Sequence, residues 1–137
     1  MNTHINHPPH YTAHRSGLEC IDITERLSFT MGNAVKYVWR ADEKGSPLDD
    51  LRKAAWYLRR EAERKHTRPL RLVHGGHNET VSLLNRVQGV DSGLLGAVVG
   101  CLVHGLMKGS CMARVATAML RHVEREIERR EGVEVAS

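Results

Sequence analysis

Two short stretches interleave rings with charge: Gly32-Asn33-Ala34-Val35-Lys36-Tyr37-Val38-Trp39-Arg40 and Asp50-Leu51-Arg52-Lys53-Ala54-Ala55-Trp56-Tyr57-Leu58. The chain of 137 residues has one Phe, two Trp and three Tyr, and all lie at or before residue 57. Rings needed only for packing would be spread over both halves, so this clustering points to a second use. At about 100° per residue, Asn33, Tyr37 and Arg40 share one side of a helix, with Lys36 flanking and Lys44 just beyond. On the next helix Asp49, Lys53, Trp56 and Arg60 oppose the aliphatic stripe, flanked by Asp50 and Tyr57. Rings of this kind stack a nucleobase, while Lys36, Arg40, Lys44 or Lys53 neutralise phosphate. Glu19, Asp22, Asp49 and Asp50 offer oxygen ligands, direct or through water, for a divalent cation. Two plainer readings compete: a solvated face with a few half-buried rings, or a dimer interface.

The histidines His4, His7, His10 and His14 recur every three or four residues, but Pro8 and Pro9 prevent one helix from displaying them all. No His/Cys spacing matches a structural zinc site, and no metal-binding residues are assigned. His7 and His10, with Tyr11, are instead expected at the ligand, bonding phosphate or a base edge. His74-Gly75-Gly76-His77 reads as a plain turn or as a small anion-binding loop. Lys108-Gly109-Ser110 has the wrong order for a P-loop, and no G-x-G-x-x-G, G-x-S-x-G or H-E-x-x-H occurs. Cys101 lies in an apolar glycine-rich run and Cys111 follows a helix cap, so neither reads as an activated nucleophile.

The elements that must hold these residues are helical. Residues 1–17 read as an extended His/Pro-rich arm, and 19–27 as a short helix. Thr30 is a candidate N-cap for a helix over 31–42, closed by Gly45. Ser46-Pro47-Leu48-Asp49 is a stronger start, with Pro at the first helical position, for a helix reaching about Lys65. After a break at residues 66–69, Leu70 to Val73 are a candidate strand. Asn78 or Thr80 caps a fourth helix to about Gln88, Asp91 or Ser92 a fifth to about Lys108, and Ser110 a sixth ending at Gly132. Glycines at 93, 96, 100 and 105 imply close helix–helix approach, within the chain or to a second subunit, since each costs ~1 kcal/mol relative to Ala. In the sixth helix Val115, Met119, Val123 and Ile127 form an apolar stripe.

The expected fold is therefore all-α: a compact domain of about six helices, with residues 1–66 rich in motifs. Residues 67–137 form a C-terminal helical region, part of the same globular unit and of its oligomerisation. Net charge is +4 and the pI about 9.2, shared equally by the two halves. That balance favours anionic ligands without demanding nucleic acid. Cys20, Cys101 and Cys111, an odd number with no C-x-x-C, fit a reduced compartment. The sequence shows no signal peptide and no run long enough for a bilayer, so a cytoplasmic protein without membrane partners is expected.

Taken together in order, His7-Pro8-x-His10-Tyr11, Gly17-Leu18-Glu19-x-Ile21-Asp22, Gly32-Asn33-x-x-Lys36-Tyr37-x-x-Arg40, Lys44-Gly45 and Asp50-Leu51-x-Lys53-Ala54-x-x-Tyr57-Leu58 resemble the SaV-like phage family over residues 7–60. The resemblance implies a phage protein acting in the host bacterial cytoplasm. Family members include a nucleotide kinase that phosphorylates deoxynucleoside monophosphates without a P-loop. Another is a nucleic-acid binder that triggers an abortive-infection system. The expected function is nucleotide binding, with non-P-loop nucleoside monophosphate kinase activity leading and ATP and Mg²⁺ as its cofactors. In that reading Lys36, Arg40, Asp50 and Lys53 are catalytic. His7, His10, Tyr11, Glu19, Asp22, Asn33, Tyr37, Lys44, Trp56 and Tyr57 bind ligand. The alternatives are a non-catalytic anti-defence protein that sequesters a nucleotide or nucleotide-derived signal, and a nucleic-acid binder; a homo-oligomer is expected in each case.

Overall fold

The computed structural model describes residues 14–41, 46–64 and 68–136. Among these the architecture is all-α, in six helices: α1 Cys20–Thr24, α2 Phe29–Ala41, α3 Pro47–Ala62, α4 His77–Val90, α5 Leu94–Lys108 and α6 Met112–Ala136. None of the described helices is long and apolar enough to cross a membrane.

Local chemistry sets the boundaries. α1 opens with a reciprocal cap: the Glu19 amide donates to Asp22 Oδ2 at 2.8 Å, while the Glu19 side chain accepts the Asp22 amide, satisfying two otherwise orphaned donors. α2 starts at Phe29 rather than after Thr30, because Ser28 Oγ accepts the Met31 amide at 3.3 Å. α3 begins as expected, Ser46 preceding Pro47, and ends at Ala62 rather than Lys65. α4 starts at His77 behind Gly76, earlier than either Asn78 or Thr80 allows. The Asp91 carboxylate accepts the amides of Gly93 at 2.9 Å and Gly96 at 3.3 Å, so it caps α5 from just outside the helix. Gly109 stops α5 in the left-handed region at φ 64°, as glycine at this position commonly does. α6 begins at Met112 and continues past Gly132 to Ala136.

Leu70 to Val73 do not form a strand. One isolated antiparallel bridge, Pro69 with Cys111, lies just before the segment, and two of its amides are satisfied singly: Leu70 donates to Ser110 O and Val73 to Arg26 O, both at 2.8 Å. Arg26 is buried where α1 meets α4. Its guanidinium donates to Thr80 Oγ1 at 3.0 Å, Glu79 Oε1 at 2.6 Å and the Asp22 carbonyl at 3.0 Å, so its charge is fully engaged. The turn at His74-Gly75-Gly76-His77 leans on that guanidinium. Gly75 has φ 81°, and Arg26 fills the space its Cβ would take, which favours the plain turn over an anion loop.

One core joins the two halves of the chain. α2 packs on α3, α3 on α6, α6 on α5 and α5 on α4 and α2. Ile23, Met31, Val35, Leu51 and Leu58 from the first half lie fully buried in the same cluster as Leu84, Val99, Leu102, Met119 and Val123 from the second. The stripe expected on α6 is buried at Val115, Met119 and Val123, with Ile127 at its margin. The glycines of α5 are accounted for within the chain. A Cβ at Gly96 would strike the Asp91 carbonyl oxygen, one at Gly100 the Gln88 amide, and one at Gly105 the Val115 side chain.

Candidate functional site

The ring-and-charge pattern of α2 and α3 becomes a single surface. Helical spacing puts Lys36, Tyr37 and Arg40 along one edge of α2, and Lys53, Trp56, Tyr57 and Arg60 along the facing edge of α3. Tyr37 and Tyr57 stack across the helix pair with centroids 6.1 Å apart and planes 12° from parallel. Trp56 and Phe29 meet Tyr57 edge-on, at 5.1 Å and 6.2 Å. Lys36 Nζ lies 4.6 Å from the centre of the Tyr37 ring, Lys53 Nζ 5.4 Å and Arg40 Cζ 6.0 Å. Arg60 sits 5.7 Å over Trp56. Ring quadrupoles attract cations at these distances, which gathers positive charge that would otherwise disperse.

Neighbouring arginines are neutralised by carboxylates, whereas among the described residues these cations are not. Arg52 pairs with Asp49 and Glu131, Arg59 with Glu124, and Arg64 with Glu61. Among the described residues no carboxylate pairs with Lys36, Arg40, Lys53 or Arg60. The two outermost rings stay accessible, Phe29 at 78% and Trp56 at 53% exposed, while Tyr37 and Tyr57 are half-buried. Shallow hollows flank the rings. One of about 180 Å³ runs past Phe29, Asn33 and Lys36. Another of about 450 Å³ is lined by Trp56, Arg59, Arg60, Glu63 and Arg64. The Tyr37–Tyr57 separation is that of rings in contact, so a planar ligand is left the outer ring faces rather than a slot between them.

The other expected residues are distributed differently. Glu19 and Asp22 hold each other at the start of α1. Asn33 Nδ2 donates to the Phe29 carbonyl at 2.8 Å, bracing the start of α2 beside the rings. Asp49 faces Arg52 at 3.7 Å. Asp50 is 7% exposed in the first turn of α3, where the helix dipole favours an acid, and it sits on the core side of that helix. The four carboxylates considered for a divalent cation are therefore not gathered, and no group of three His, Cys, Asp or Glu among the described residues is arranged to hold a metal ion. His7, His10, Tyr11 and Lys44 lie outside the described residues, as do His4 and Gly45.

Phe29 and Arg60 were not among the site residues expected from the sequence. Arg60 follows Trp56 by four residues, one helical turn, a spacing that was readable. Phe29 became a member only because α2 begins two residues before the Met31 start that a cap at Thr30 would give. Trp39, by contrast, is a core residue: it is buried, and its ring meets His14 at 4.8 Å on the side away from Tyr37. His14 in turn reaches Asp91 Oδ2 at 3.4 Å and Ser16 Oγ at 2.7 Å.

No curated protein and no solved structure matches this chain. Over residues 5–59, the stretch that carries the rings with Lys36, Arg40 and Lys53, the chain is similar to a family described as a protein of unknown function, DUF3310.

Proposed function

We propose that the protein binds nucleotides on the α2–α3 face, with a base against an exposed ring and phosphate among the cations. The observation that carries this reading is the convergence of Lys36, Arg40 and Lys53 on the Tyr37 ring with no carboxylate partner among the described residues. Three cations in one place with no carboxylate among the described residues to offset them repel one another, and an anion such as phosphate relieves that repulsion. Trp56 and Phe29, exposed beside them, supply stacking area that tolerates any base.

Phosphoryl transfer is the second reading, and it is favoured by the same three cations, since such transfer depends chiefly on positioning and charge stabilisation. The dispersed carboxylates favour binding without chemistry, so sequestration of a nucleotide or nucleotide-derived signal takes precedence. The resemblance to the SaV-like phage family supports both, with an infected bacterial cell as the setting that goes with either reading.

Titration of Trp56 fluorescence with deoxynucleoside monophosphates, triphosphates and a short oligothymidylate tests the proposal. Saturable quenching that is lost in both Lys36→Ala and Arg40→Ala, with melting unchanged, is the expected result. Absence of quenching by all three ligands overturns it. Incubation of a monophosphate with ATP and Mg²⁺ separates the two readings: recovery of the ligand unaltered supports sequestration, and formation of diphosphate establishes a kinase. Binding of the oligonucleotide alone, weakening steeply with salt, would make the face a nucleic-acid site.

A further inference from the structure

The second half of the chain holds a groove that the α2–α3 face does not use. It lies between α5 and α6, has a volume of about 540 Å³ and is closed on one side by Gln88 of α4. That size falls within the range of small-molecule sites. α5 and α6 run antiparallel through the contact of Gly105 with Val115, which fixes which residues share an end. His104, Ser110 and Arg114 stand together near that crossing, while Ala97, Gln88 and His122 lie toward the other end. Gly100, Cys101 and Ala118 form a waist of small side chains between them.

The charge of this lining has one sign. Among the described residues no Asp or Glu lines the groove, Arg114 is permanently positive, and both imidazoles can donate hydrogen bonds. The first turn of α6 starts beside Ser110 and adds the partial positive charge of a helix N-terminus. Burial pushes the Cys101 thiol above its usual range, which keeps the waist neutral. Gly100 has its own part here: the Gln88 amide occupies the space of its missing Cβ and so forms wall rather than solvent.

We propose that the α5–α6 groove binds a small organic anion. Its charged group meets Arg114, His104 and Ser110, and its apolar or aromatic body crosses the waist of Cys101 and Ala118. Gln88 and His122 bond any polar atom at the far end. This site shares no residue with the α2–α3 face and stands or falls independently of it.

Phenyl phosphate, inorganic phosphate and phenol serve as probes, titrated into the full isotopically labelled chain and followed by amide chemical shifts. Phenyl phosphate is expected to shift the amides around Cys101, His104, Ala118 and His122, with affinity at least tenfold above either inorganic phosphate or phenol. Arg114→Gln should weaken that binding tenfold or more, and Ala118→Leu, which fills the waist, should abolish it. Arg114 is exposed, so its variant should fold even if Ala118→Leu does not, and the melting temperature of each reports this. Equal binding of inorganic phosphate, unchanged affinity in Arg114→Gln, shifts confined to the Tyr37 surface, or no shifts at all would each overturn the proposal.

Discussion

A methyl group at residue 96 would run into the Asp91 carbonyl oxygen, and backbone cannot step aside as a side chain can. Gly96→Ala should therefore destabilise the protein by ~1–3 kcal/mol, despite the better helix propensity of alanine. Gly100→Ala meets only the end of the flexible Gln88 side chain, so it should be neutral or stabilising by up to ~1 kcal/mol. Thermal denaturation of the pair separates them. Glu126 offers a pH-dependent case. Its hydrogen bond to Arg129, helped by Arg130 and opposed by partial burial, lowers its carboxyl from 4.5 to about 2. A lowered folded-state value stabilises the fold above the unfolded value and loses that contribution as pH falls toward 2. The melting-temperature gap between the native chain and Glu126→Gln should thus be full at pH 7 and close between pH 4.5 and 2.

At the scale of elements, α3 carries both the core and the candidate site. Leu51→Ala or Leu58→Ala, each fully buried, should cost ~2–5 kcal/mol, read from denaturant midpoints. Lys53→Ala on the opposite edge should leave stability nearly unchanged while weakening ligand binding. If it unfolds the protein instead, the cation is structural and the site assignment fails. The division of α3 into those faces was legible, because Leu48, Leu51, Ala55 and Leu58 recur at helical spacing and Ser46-Pro47 marks the start. Asp50 was not placed correctly by angle alone: it lies near the stripe's edge, and the packing of neighbouring helices decides whether such a position is covered. Ser28 and Thr30 are both good caps, and only the Ser28–Met31 hydrogen bond distinguishes them. Leu70 to Val73 looked like a strand because three of the four residues are apolar and the Gly75-Gly76 turn follows. A strand needs a partner ladder, and a single bridge to Cys111 is all that the fold supplies.

On the scale of the whole molecule, the similarity to a known family stops at residue 59, but the core does not. α3 is covered by α6, and α2 by α5. A chain ending at residue 66 should therefore be largely unfolded, with exposed Leu51, Leu58 and Val35, as circular dichroism and dye binding would report. The sequence conveyed that glycines in α5 require close approach, yet not to what. The answer lies in how the chain turns at each end of α5, which sets Gly105 against Val115 of the next helix and Gly96 against the Asp91 carbonyl, and helical periodicity does not encode such approaches.

The stitching of residues 68–73 bears on how the molecule could be taken apart. Arg68 accepts the Met112 amide at 2.8 Å, Leu70 reaches Ser110, and Val73 reaches back to Arg26. The connector is thus fastened to both sides of the fold by its own main chain rather than merely strung between them. Severing the polypeptide near residue 66 should leave two pieces that remain associated, and separately made pieces should recombine into the native helix bundle.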